Sequence, residues 1–169
     1  MKKAIWNDPV TGVASIMVPA YNDELRDHGL TDGELFARVV AKGVPPGAAY
    51  EVIDDALPAV RAFLDDRTFR GAWECGAEKG LTCHMPKARA IHMKRIRKVR
   101  NAELAKLDVP FMKAVEAGDT GEQQRIAELK QSLRDIPQTL TLSGARTQNA
   151  LKKLWPSLLP PTLQGKEEE

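Results

Sequence analysis

Residues Met85 to Gly118, MPKARAIHMKRIRKVRNAELAKLDVPFMKAVEAG, decide how this chain is read. Pro86 falls in the first turn of a helix, where its missing N–H would be unpaired anyway. Advancing 100° per residue, Met93, Ile96, Leu104, Leu107, Phe111 and Val115 fall on one stripe. Arg89, Arg97 and Arg100 interrupt the first half of that stripe, and Ile91 and Val99 lie off it, so the basic half has no clean apolar face. Pro110 must kink or divide the helix, and Gly118 suits a C-terminal stop.

Downstream, Thr120-x-x-Gln123 opens a second helix with Ile126, Leu129, Leu133 and Ile136 spaced 3, 4 and 3. This is a narrow seam of the kind used between two helices, and Pro137 is expected to end it. The short connection makes the pair an antiparallel αα-hairpin. Ser143 is read as the cap of a final short helix through Leu151, Leu154 and Trp155. The polar tail Gly165 to Glu169 is expected to be disordered.

Upstream the period changes. Ala4-Ile5-Trp6 and Val13 to Val18 are β-prone runs around a turn holding Pro9 and Gly12, so residues 3–18 read as a hairpin closed by Pro19. Thr31-x-x-Glu34 is a capping box before Leu35, Val39 and Val40, for a helix ending near Gly43. After Pro45-Pro46-Gly47, Tyr50 to Ile53 reads as a strand, and residues 56–66 fit no single pattern. Phe69 to Trp73 is read as a further strand, with Gly76 to Gly80 turning into Leu81-Thr82-Cys83. The expected fold is α+β. A small hairpin and helix region spans 1–84, a long basic antiparallel αα-hairpin 85–137, and a short helix with a polar tail 138–169.

Composition narrows the function classes. The chain has 169 residues, 43% hydrophobic and 28% charged, enough for one ordinary core. Aromatic residues make up 5%, which argues against a large stacking surface, and a net charge of +2 does not imply nucleic-acid binding. The charge is nevertheless uneven: Lys79 to Ala102 holds eight Lys or Arg and no Asp or Glu, while Asp54, Asp55, Asp65 and Asp66 cluster upstream. Two cysteines make no disulfide scaffold. Asn7, Asp8 and Pro9 interrupt any signal-peptide core, and no run is long enough to span a bilayer. The expectation is a soluble protein of a reducing compartment.

Cys75, Cys83, His84 and His92 have C-x7-C-H-x7-H spacing, without the short paired arms of structural zinc. Cys75 and Cys83 fit better as reduced packing residues on facing strands, and no metal or cofactor is expected. The chain holds no Gly-x-Ser-x-Gly, phosphate loop or His-Glu-x-x-His, and His28, His84 and His92 lack a recognisable nucleophile partner. The paired aspartates diverge within each pair and read as loop or capping acids. An enzyme is not expected. Lys87, Lys94 and Lys98 share a helical face with Arg95 beside it, and this face can follow a phosphate backbone or meet an acidic protein. Stacking aromatics are absent from Ala77 to Pro110, which favours the protein. Trp6, Trp73 and Trp155 read as core or interface anchors, with Trp155, before Pro156, the one at an interface.

Several segments resemble small accessory proteins of tailed-bacteriophage tails, of the tail-fibre or tail-assembly type. They are Asp66 to Trp73, Met85 to His92, Leu107 to Ala114, Glu116 to Asp119, Lys130 to Pro137 and Leu151 to Pro156. The resemblance covers about residues 66–156, and the opening hairpin and Tyr50 to Asp54 resemble the start of related tail-fibre accessory proteins less specifically. Its motifs carry no catalytic residue. The departure is at Cys75 and Cys83, where polar or acidic residues would fit the pattern.

The resemblance implies a non-enzymatic role in tail-fibre or baseplate assembly through protein–protein contacts. The alternatives are a structural component of the virion tail, baseplate or fibre attachment, and a nucleic-acid-binding protein using the basic helix. The expected contact residues are Lys87, Lys94, Arg95, Lys98, Phe111 and Trp155. The expected partners are tail-fibre or baseplate proteins, with off-stripe Ile91 and Val99 favouring a homo-oligomer, and no membrane. The expected location is the host cytoplasm during assembly, with retention in the virion tail under the structural alternative.

Overall fold

The computed structural model describes residues 2–19, 29–76 and 80–161, and the chain is α+β. It divides into two compact units, Met1–His84 and Met85–Glu169. His28, the turn residues 77–79 and the tail from Gly165 to Glu169 lie outside the described residues.

In the first unit, Lys2–Asn7 (β1) is the central strand of an antiparallel sheet, flanked by Ala14–Met17 (β2) and Glu51–Asp54 (β3). Ile5 pairs with Ile16 on one side and Glu51 on the other. Lys3 to Trp6 are all buried, which requires cover on both faces of the sheet. The hairpin expected over residues 3–18 is present. Beside Pro9 and Gly12 (φ +65°), its turn uses the Asp8 carboxylate, which accepts from the N–H groups of Val10 at 3.0 Å and Thr11 at 2.7 Å.

Asp32–Gly43 forms helix α1, opened by the full Thr31/Glu34 capping box and burying Leu35 and Val40. Such a cap contributes about 1 kcal/mol. The stretch without a clear period resolves as α2, Pro58–Asp65, which starts on its proline and buries Val60. The strand expected over Phe69 to Trp73 is not one. Arg70–Ala72 is a 3-10 turn, and the strand β4, Trp73–Gly76, begins only at Trp73. Phe69, Ala72 and Trp73 all point inward, and a period of two cannot bury positions 69, 72 and 73 together. β4 pairs with Gly80–Cys83 (β5). Ile5, Ala14, Ile53, Val60, Trp73 and Leu81 form the core, and Phe63 meets Trp73 edge-on at 5.8 Å.

The second unit is helical: α3 (Met85–Lys106), α4 (Asp108–Glu116), α5 (Thr120–Thr139) and α6 (Gln148–Lys153). Pro110 accompanies a division at Leu107 and sits in the first turn of α4, where it interrupts no intrahelical bond of its own helix. α4 ends in a Schellman motif. Asp119 N–H bonds the Ala114 carbonyl at 2.9 Å and Gly118 N–H the Val115 carbonyl at 3.1 Å, with Gly118 at φ +67°. The arms then run antiparallel, with Ala114 beside Gln123, Asp108 beside Lys130 and Ile96 packed with Leu133.

Four local expectations are corrected here. The cap of α5 is Asp119, whose carboxylate accepts from Glu122 N–H at 2.9 Å, and not Thr120. Pro137 does not end α5. The helix continues to Thr139, whose hydroxyl donates to the Asp135 carbonyl at 3.1 Å while buried Ile136 anchors the turn. The cap of α6 is Thr147, not Ser143, and the helix stops at Lys153, short of Leu154 and Trp155. Val99, read as lying off the apolar stripe, packs onto the Ile96, Leu133, Ile136 and Leu159 core instead of being left for an oligomer contact.

Candidate interaction surface

The inward face of α3 is the row Ala88, His92 and Ile96, four residues apart, and this row fixes where the basic residues go. Lys94 and Lys98 are fully on the surface, whereas Lys87 and Arg95 are half-buried. The four basic residues expected to meet a partner are therefore split between outward and flanking positions. Arg89, read as an interruption of the apolar stripe, donates from Nη2 to the Ala145 carbonyl at 2.9 Å. A basic residue thus holds the loop before α6.

His92 is buried and its Nε2–H donates to the Leu154 carbonyl at 3.1 Å. Burial pushes its pKa down, the Leu154 bond opposes that, and the Arg95 charge adds to it. A neutral imidazole that serves as a fixed donor is a packing group rather than a ligand. Among the described residues, no group of three or more His, Cys, Asp or Glu side chains could hold a metal ion.

Cys75 and Cys83 are both free and lie on paired strands, but Cys75 opposes Leu81 and Cys83 opposes Trp73. Burial raises both thiol pKa values, with Glu51 adding for Cys75 and Glu74 for Cys83. Such thiols stay protonated near neutral pH and react slowly. Asp54 and Asp66 accept from the backbone N–H groups of Ala56 and Thr68, at 3.0 and 3.2 Å, and so close turns.

Two residues expected to face a partner are engaged within the chain. Trp155 packs against the Ile96 cluster, and its Nε1–H donates to the Pro160 carbonyl at 2.9 Å. Phe111 is half-buried beneath Lys130, whose Nζ lies 4.8 Å from the ring centre and 2.8 Å from Asp108 Oδ1. On α4 the exposed apolar side chains are instead Val109 (62%), Met112 (55%) and Val115 (44%). A continuous helical phase carried across Lys106 to Asp108 places Val115 inward. The division at Leu107 instead makes Ala114 the buried position. The signal for Val109 and Met112 was their spacing of three on the side of α4 opposite Phe111 and Ala114.

Among the described residues, no helix is long and apolar enough to cross a membrane. No protein-family model, no curated protein and no solved structure matches this chain.

Proposed function

We propose that this protein is a non-enzymatic accessory factor that acts through protein–protein contacts in tail-fibre or baseplate assembly of a tailed phage. The observation that carries the contact role is the row Val109, Met112 and Val115, three large apolar side chains exposed together on the single helix α4. An unpartnered apolar row of this kind marks a docking surface for another protein. Exposed Lys94 and Lys98 on α3 add positive charge to the same unit, which steers acidic clients and disfavours basic ones. The tail setting rests on the sequence resemblance over about residues 66–156.

The reading is tested by quantifying the protein against the major tail subunit in purified virions and in the producing lysate. Presence in the lysate but not in particles supports an assembly factor acting in the host cytoplasm. A fixed small copy number per particle supports the alternative, a structural tail or baseplate component. Absence from both overturns the tail setting. Val109→Glu with Met112→Glu should abolish co-purification of the client without unfolding the chain, and unchanged co-purification would remove α4 from the contact. Binding to duplex DNA at low salt, lost on charge reversal of Lys94 and Lys98, would favour the nucleic-acid alternative instead.

A further inference from the structure

The first unit contains a groove that the role assigned to α4 does not use. Its volume is about 430 Å³, within the range of about 300–1,000 Å³ usual for ligand clefts. Ile16, Leu64 and Trp73 supply apolar lining. Trp73 is 1% exposed, and its buried indole N–H, with no acceptor among the described residues, is a donor the fold itself does not use.

The charged lining is unbalanced. Lys3, which is 7% exposed, is held by Asp55 at 2.6 Å. Arg61 lies 3.5 Å from Asp65 in an exposed pair. Arg67 and Arg70 remain, both exposed and neither facing a carboxylate among the described ion pairs. They leave a single turn, since Arg70 N–H bonds the Arg67 carbonyl at 3.0 Å. The groove therefore combines apolar side chains with two guanidinium groups that pair with no carboxylate among the described ion pairs.

We propose that this groove binds an acidic segment of a partner protein in which carboxylates alternate with apolar side chains. Planar guanidinium groups match carboxylates bidentately, so Arg67 and Arg70 are suited to adjacent Asp or Glu side chains. The Ile16, Leu64 and Trp73 lining takes the intervening apolar side chain. A nucleic acid fits less well. Trp73 is sunk edge-on against Phe63 and offers no open face for a base. The inference goes beyond the role proposed above, because it concerns the other unit and holds whatever assembly the protein serves.

The test uses the full-length chain and a fluorescein-labelled peptide of alternating Glu and Leu, read by fluorescence anisotropy at low salt. Saturable binding is expected, together with a shift of the Trp73 indole N–H resonance. Arg67→Glu with Arg70→Glu should weaken the binding at least about tenfold. Both side chains are exposed, so the melting temperature should hold. Should the double reversal unfold the unit, Arg67→Gln with Arg70→Gln removes the same charge without repulsion and should weaken binding in the same direction. A peptide with Gln in place of Glu should not bind. The proposal is overturned by no saturable binding up to millimolar peptide, by binding indifferent to both arginine variants, or by an oligonucleotide that displaces the peptide.

Discussion

The ring of Trp155 meets the ring of His92 edge-on, with centroids 5.8 Å apart and planes at 68°. His92 lies on α3 and Trp155 just beyond α6, so the pair ties the C-terminal segment to the first helix of its unit. Two bonds from the rings to main-chain carbonyls reinforce it, from His92 Nε2–H to Leu154 and from Trp155 Nε1–H to Pro160. Trp155 is therefore a keystone of the helical unit rather than a free anchor.

Trp155→Ala should destabilise that unit by about 2 kcal/mol, below the range for a core aromatic because the side chain is only half-buried. Trp155→Phe keeps most of the contact and loses the indole bond, at about 1 kcal/mol. Denaturant unfolding of both variants checks the order. Equal losses would mean that the ring packing carries nothing beyond the hydrogen bond.

The stability of the helical unit should fall in mild acid. Burial holds the His92 pKa below its ordinary 6.5 in the folded chain. Between that lowered value and 6.5 the unfolded chain binds more protons, so stability is complete above 6.5 and declines as pH drops through the window. Melts of the wild type and of His92→Gln, taken from about pH 8 to about pH 5, should show a shallower slope in the variant. Identical slopes would assign the pH dependence to other groups.

Ile126 is fully buried on α5, and Leu133 lies one seam position beyond Leu129. Truncating either to alanine should cost about 3 kcal/mol through lost burial and a residual cavity. Chemical denaturation followed by helical circular dichroism measures this directly. A loss below the level of a surface substitution would contradict the antiparallel packing of α5.

Gly118 and Gly144 separate backbone strain from crowding. An added Cβ meets nothing within 4 Å at either site, but only Gly118 has positive φ, at +67°. Gly118→Ala should therefore cost about 1 kcal/mol from the left-handed backbone alone. Gly144→Ala should be close to neutral, and thermal melts of the two proteins side by side decide the matter.

Elements with their own local chemistry were legible in the sequence. Thr31 and Glu34 reach each other within one turn, so the capping box names its helix without reference to anything distant. Gly118 likewise marks its stop because only glycine adopts that φ cheaply. Phe69 to Trp73 was misread because three inward side chains at uneven spacing are set by the core they enter, not by their neighbours in sequence. Pro137 was misread because a breaker near a helix end forfeits one bond, and burial of Ile136 outweighs it.

The candidate surface follows the same division. Sequence alone determined that the chain is α+β, that a basic helical stretch follows a strand-rich region, and that Lys94 and Lys98 project from a helix, because each depends on periodicity over a few residues. Tertiary structure decided that Trp155 and Phe111 are occupied within the chain, that Val109 and Met112 are left on the surface, and that Arg67 and Arg70 border one groove with Trp73. Those outcomes depend on which faces meet after the chain turns at Leu107 and Gly118, and on residues far apart in sequence that compete for the same apolar contact.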